Sequence, residues 1–467
     1  MRCKLKELFV FLVLALVGIH EGACSTISVV NIQLGTLSGG STNVTFDLTW
    51  ANSWRTTGVG APAPNNWDAA WVFIKFRKNG GSWSHASLND TGHTTGSGTP
   101  ATIAVGYPDT NSTFNIATNP GVGVFIHRST DGTGTFSLTG ASLSWNYSQD
   151  GVTPGDTVDL RVFGIEMTYI PTGSFFAGDN ATSTASFKQG SSDNDPWYIG
   201  SEAAMGVAGQ SGTGTGLGEA NGEYYYVSGG NSGESATGST FTIPAEFPKG
   251  YQKFYMMKGP ISQSQWVAFF NTLTDSQKVT RDITGSGGKN SDNLVRRNNV
   301  SWTGSGDATL PDRGGGATYA SVAMVYISWS DIAAYLDWAG LRPMSELEYE
   351  RAARGPYRAV SGEYAWGSTS VTQATAVYNE GTASESVSAT ANCARHASGS
   401  SSPLINGPMR VGISAYNKAT RIESGAGYYG NMDLSCGGRA RVITVGNATG
   451  RAFNASKHGN GILDGSG

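Results

Sequence analysis

Residues 325–355 read VYISWSDIAAYLDWAGLRPMSELEYERAARG, and this stretch decides the reading of the second half of the chain. Ser328 precedes a segment in which Ile332, Tyr335, Leu336 and Ala339 fall on one side at helical spacing, with Gly340 just past its end. That pattern predicts a capped helix over 328–339. Ser345 followed by Glu348 is a capping box that opens a second helix over 346–354, closed by Gly355-Pro356. Trp329, Tyr335 and Trp338 lie on or beside the first helix and are expected to bury large apolar areas. Arg342, Glu346, Glu348, Glu350, Arg351 and Arg354 interleave opposite charges. Such charges brace a fold through ion pairs, each worth less than about 1 kcal/mol when exposed. A paired-carboxylate acid–base site among these glutamates is the competing reading. Charges interleaved at helix spacing favour a solvated or bridging face instead. Upstream, residues 262–273 (SQSQWVAFFNTL) repeat the helical pattern, with Ser262 as cap and Trp266, Phe269, Phe270 and Leu273 on one side.

The first half has a different period. Residues 44–50 (VTFDLTW) alternate, placing Val44, Phe46, Leu48 and Trp50 on one face. Segments 26–34, 70–76, 122–127, 135–145 and 157–162 continue the strand pattern, with turn signals at Asn79-Gly80, Asp131-Gly132 and Asp150-Gly151. Short strands at this spacing predict an all-β sandwich over residues 26–163. Its N-terminal strand either pairs within its own sheet, the preferred reading, or is donated to another chain. Residues 179–239 are rich in Gly, Ser, Thr and Asn, and too long for an ordinary loop.

The 467 residues carry a net charge of −4, so no basic surface argues for nucleic acid or anionic lipid. Charged residues make up 14 %, against about a quarter in an average soluble chain. Arg2, Lys4 and Lys6 precede an apolar run over 8–19, followed by Ala23 and Ser25, the pattern of a secretory signal cleaved after Ser25. The run falls short of the ~20 residues a membrane span needs, and no other stretch is long and apolar enough. Cys24 as the acylated first residue of a lipoprotein is the alternative. Once the signal is removed, Cys393 and Cys436 are left as a candidate disulfide in an oxidising compartment. Asn43, Asn89, Asn111, Asn146, Asn180, Asn299, Asn447 and Asn454 each open an Asn-x-Ser/Thr glycosylation candidate.

Residues 164–178 (GIEMTYIPTGSFFAG), 254–271 (FYMMKGPISQSQWVAFFN), 325–355, 364–367 (YAWG) and 408–412 (PMRVG) follow in order the segments of the formylglycine-generating, or sulfatase-modifying-factor, family. Residues from about 164 to 450 therefore resemble a domain of that family, which gives domains at 1–25 (signal), 26–163 and 164–467. The resemblance implies an irregular α+β fold related to the C-type lectin-like architecture. It marks Trp329, Asp331, Tyr335, Trp338, Arg342, Glu346, Glu348, Glu350 and Arg354 as structural motif positions.

The family's oxidase chemistry uses a close cysteine pair that binds copper. The pair follows an Arg-Gly-Gly-Ser-Trp segment and precedes a terminal Gly-Phe-Arg. This sequence reaches Gly467 without either segment, and Cys393 and Cys436 do not match those positions, so no catalytic residue is assigned and copper is not expected. Residues 430–441 (GNMDLSCGGRAR) lack the Trp-Glu pair of the family's calcium segment. Asn379 is the calcium candidate for the other family site, with a plain turn residue as the alternative.

The expected protein is a secreted or cell-surface glycoprotein. It is read as a non-catalytic structural or assembly protein, such as a filament subunit, that associates with itself, with other surface proteins or with glycans. Two alternatives stay open: an exported oxidase whose cysteine pair lies in a longer native chain, and a carbohydrate-binding surface protein suggested by fold analogy.

Overall fold

The computed structural model describes residues 27–57, 64–178, 187, 196–207, 241–396, 407–416, 418, 420–438 and 440–463. Residues 1–25, where a signal is expected, with Cys24 among them, and Asn180 lie outside the described residues. The molecule is mostly β with few helices. Its first nine strands are β1 (Ser28–Leu34), β2 (Thr42–Arg55), β3 (Asp68–Lys78), β4 (Trp83–His85), β5 (Ser97–Gly98), β6 (Ala101–Gly106), β7 (Gly123–Arg128), β8 (Gly132–Trp145) and β9 (Val158–Ile170). They form two sheets, one in the order β1-β2-β8-β5 and one running β9-β3-β7-β6 with β4 on β3. β1 pairs antiparallel with β2 in its own sheet.

Alternation explains how the sheets meet. Val44, Phe46, Leu48 and Trp50 of β2 point inward with Phe136, Leu138, Leu143 and Trp145 of β8, and meet Val72, Ile74 and Phe76 of β3 and Val124 and Ile126 of β7. Trp50 and Phe136 are cross-strand partners whose rings stack at 3.9 Å. The second sheet is covered on its other face as well. Ala69, Trp71 and Phe73 of β3, with Ile165 and Met167 of β9, belong to a second core shared with helices. β3 is therefore buried on both faces, which accounts for its unbroken apolar run. Gly123 makes this packing possible, since a Cβ there would lie 2.5 Å from the Trp71 ring.

The second half contributes short elements: β10 (Phe175–Ala177), β11 (Trp197–Ile199), β12 (Met205–Val207), β13 (Phe241–Ile243), β14 (Phe254–Met257), α1 (Gln263–Phe270), α2 (Asp275–Thr280), α3 (Trp329–Trp338), α4 (Glu346–Arg354), β15 (Gln373–Ala374), β16 (Val377–Tyr378), β17 (Ser386–Val387), β18 (Cys393–His396), α5 (Arg421–Ser424) and α6 (Ala448–Arg451). The first four helices open with capping boxes, from Ser262, Thr274, Ser328 and Ser345. Trp266, Phe269 and Phe270 of α1 and Tyr335 and Trp338 of α3 are buried as their spacing requires. Trp338 meets Phe73, Phe163 and Phe269 edge-on at 5.0, 4.9 and 5.4 Å.

Trp329 departs from expectation. It sits at the first position of α3, off the apolar stripe, and is 39 % exposed.

The two halves are tied together along the chain. β9 runs without interruption through 163/164, where the sequence places a domain boundary, and its second half pairs with β14. A terminal strap over 455–463 then returns across the first half. Thr110 N–H donates to Ser456 O, His458 N–H to Pro108 O, and the Lys75 ammonium to Gly461 O at 2.9 Å.

Candidate functional site

The turn between α3 and α4, together with α4 itself, holds most of the chain's motif residues. Arg342 grips Glu348 in a two-pronged pair, Nη1 to Oε2 at 2.8 Å and Nη2 to Oε1 at 2.5 Å. Glu348 Oε2 also accepts the Ser345 N–H, so one carboxylate serves both the ion pair and the helix cap. Glu346 Oε1 accepts from Thr444 Oγ1 at 3.0 Å and from the Val445 N–H. Glu350 Oε2 accepts from Gly178 N–H and Arg354 Nε at 2.8 and 2.7 Å, and Arg354 also reaches Glu363. Arg351 donates to Ser174 O and lies between the Phe175 and Tyr429 rings. Asp331 caps α3 and pairs with Arg281 at 3.2 Å.

These charges do not form a solvated face. Glu348 and Arg351 are each 2 % exposed, and α4 is a polar hub that ties β10 and the 443–446 segment together. Each glutamate oxygen named above is spent on a structural donor, so the acid–base reading of these carboxylates finds no support in the geometry.

Cys393 on β18 is buried and disulfide-bonded to Cys436, with Cα atoms 5.3 Å apart. Asn379 is exposed in the turn after β16 with φ +51°, and its Nδ2 reaches Ser384 O at 3.4 Å. The charge at the base of this loop is a guanidinium. Arg297 contacts Glu380 at 3.2 Å, pairs with buried Glu385 and donates to Pro408 O at 2.7 Å. Glu385 also accepts the N–H groups of Gly381 and Arg410.

Residues 219–403 match the profile described as the sulfatase-modifying factor enzyme 1-like domain. Residues 219–403 thus carry a sulfatase-modifying-factor-like domain. The match covers α1 through α4 and the Asn379 loop and lies within the wider span, 164–450, suggested by the motifs. No curated protein and no solved structure matches the chain.

Two family cofactors can be tested against the residues present. Copper needs thiolates, and the sulfurs of Cys393 and Cys436 are bonded to each other, so they do not supply that donor set. Calcium needs uncommitted oxygens around an open centre. Beside Asn379 the carboxylates of Glu380 and Glu385 are already neutralised by Arg297, and the fit fails there. Among the described residues, no group of three or more His, Cys, Asp or Glu side chains is placed to hold a metal.

The sequons differ in availability. Asn43, Asn111 and Asn447 are exposed. Asn89 is part-buried, and its Nδ2 donates to Ser41 Oγ and Ser144 Oγ at 3.1 and 2.8 Å. Asn146 Nδ2 donates to Asn89 Oδ1. Asn454 is half-buried and uses its Oδ1 to accept from Ser456. Asn299 is fully buried, and its Nδ2 donates to Pro311 O and Thr318 O at 2.6 and 2.9 Å. A sugar cannot be accommodated on that nitrogen in the fold, which removes Asn299 from the candidates. Gly35, Thr36, Ser41, Thr42, Asn43 and Ser144 line a shallow polar depression beside the first of these sequons.

Proposed function

We propose that this is an exported glycoprotein of the cell surface or its surroundings. In this reading the sulfatase-modifying-factor domain is a non-catalytic scaffold, fused to a β-sandwich and used in assembly with itself or with other surface proteins. The observation that carries the reading is the Cys393–Cys436 bond, which turns two thiols into a structural staple. The α4 hub supports it, because its charged groups are all engaged in bracing the fold. The sandwich reading rests on the two sheets that share one apolar core.

The test is direct. The purified protein, loaded with copper, is incubated with a sulfatase-type cysteine peptide, and aldehyde is captured with a hydrazide reagent. No aldehyde is expected. Aldehyde formation that disappears in Cys393→Ser would end the scaffold reading. Electron microscopy of the secreted protein addresses assembly, and uniformly monomeric particles at all concentrations would count against it.

A further inference from the structure

The buried charges at the seam between the two halves have chemical potential beyond a scaffold role. Asp68 opens β3, Glu166 lies on β9 and Lys258 directly follows β14, three neighbouring strands of one sheet. The Lys258 N–H donates to Glu166 O at 2.9 Å, which fixes the register. All three side chains are buried, Asp68 completely. Lys258 Nζ stands 3.1 Å from Glu166 Oε2 and 3.5 Å from Asp68 Oδ2, with the Trp54 ring 4.9 Å away.

Asp68 takes three further hydrogen bonds. Trp50 Nε1 donates to Oδ2 at 2.8 Å, while Ser53 Oγ and the Trp54 N–H donate to Oδ1 at 2.8 and 3.0 Å. Burial pushes the Asp68 carboxyl above its usual range. One ammonium and two carboxylates held out of water are costly to keep as ions. They also place an amine nitrogen 3.5 Å from an oxygen of one carboxyl group and 3.1 Å from a second carboxylate that can carry its proton.

We propose that Lys258 and Asp68 are joined by an intramolecular amide, formed autocatalytically with Glu166 as the proton relay. Lys258 gives a proton to the Glu166 carboxylate, and the freed amine attacks Asp68 Cγ. The Nζ–Cγ bond forms while Oδ1 gathers negative charge, which the Ser53 hydroxyl and the Trp54 N–H stabilise. Glu166 passes that proton to Oδ2, then carries a second from the nitrogen to the same oxygen. The Cγ–Oδ2 bond breaks and the oxygen leaves as water. An ammonium and a carboxylate become an amide and water, nothing is oxidised or reduced, and Glu166 ends as it began. Fixed proximity replaces external activation of the acyl group. The bond closes residues 68–258 into a covalent ring, so pulling or nicking cannot separate the first half from the start of the sulfatase-modifying-factor domain.

Peptide mapping of the full chain tests this. The purified protein is reduced, digested with trypsin and analysed by mass spectrometry. An unlinked chain yields residues 56–75 and 254–258 as separate linear peptides. A linked chain resists cleavage after Lys258 and yields one branched species of 56–75 and 254–278, a water molecule lighter than the two together. The branched species is expected from wild type and absent from Glu166→Gln and Lys258→Arg. Linear peptides alone from folded wild type would overturn the proposal and leave a buried ion triad. A branched peptide surviving in Glu166→Gln would overturn the relay role. The wild-type digest decides the first point, so a variant that fails to fold does not obscure it.

Discussion

Replacing Glu348 by alanine strikes α4 at the point where the ion pair and the helix cap share one side chain. The carboxylate accepts two guanidinium bonds from Arg342 and one from the Ser345 N–H, and it is 2 % exposed. Removing one partner of a buried pair leaves an uncompensated charge and costs about 3–5 kcal/mol. Losing half of a capping box adds about 1 kcal/mol. Arg342 keeps a carbonyl bond to Pro343 and sits partly toward solvent, at 13 % side-chain exposure, which lowers the total to about 4 kcal/mol. Because the two halves share their cores, the cooperative unit is the 467-residue chain, and at about 2.1 cal/mol/K per residue the loss corresponds to a fall of ~4 °C in melting temperature. Differential scanning calorimetry of wild type, Glu348→Ala, Arg342→Met and the double variant would measure it. The double variant should recover part of the loss, because it buries no lone charge. A Glu348→Ala protein within about 1 kcal/mol of wild type would show that this pair behaves as an exposed one and refute the hub reading.

Acid should release the terminal strap. Burial, with Arg342 nearby, lowers His458 from 6.5 to about 4, and His85 beneath the strap is pushed down by burial and by Lys75. Both rings are held neutral in the fold. The His458 contribution is complete above 6.5 and lost as pH falls through 4, about 2 kcal/mol after discounting its partial exposure, and His85 acts in the same direction. Hydrogen exchange over 455–463 should therefore accelerate across that window in wild type and change less in His458→Gln; a strap equally protected at pH 4 and pH 7 would contradict the assignment. When the chain is secreted from a glycosylating host, glycopeptide mapping should find sugar at Asn43, Asn111 and Asn447 and none at Asn299. An occupied Asn299 in folded protein would mean that its two carbonyl bonds do not form.

The sequence was most legible where one face of an element is wet. β2 shows its alternation because every second side chain faces out, and α1, α3 and α4 declare themselves through Ser-x-x-Gln, Ser-x-x-Asp and Ser-x-x-Glu boxes. α2 carries the same signal, Thr274 with Gln277, directly after α1, and could have been found from it. β3 gives no clean period because both its faces are buried. The charged residues of α4 read as a solvated or bridging face, and nothing local decides between the two, since Ser174, Gly178 and Val445 arrive from elsewhere to meet them. Asp68, Glu166 and Lys258 were invisible for the same reason at greater distance. A lone charge in an apolar strand carries no information about partners on other strands.

The boundary at 163/164 shows how far a local pattern can be pushed. Val158, Leu160 and Val162 of β9 face the core between the two sheets, while Phe163, Ile165 and Met167 face the core built on α1 and α3. The change of character read there is a change of which core the strand serves, not a break in the strand. Cutting the chain at that point would leave Asp68 through Val72 of β3 without their antiparallel partners and expose Trp71 and Phe73, which α3 and its C-terminal turn cover. Trp71 Nε1 would also lose its bond to Ala339 O, at 2.7 Å. Shared aromatic rings, the shared strand and the returning strap make the two halves depend on one another for burial. The β-rich half thus supplies one wall of the core on which the sulfatase-modifying-factor domain is built.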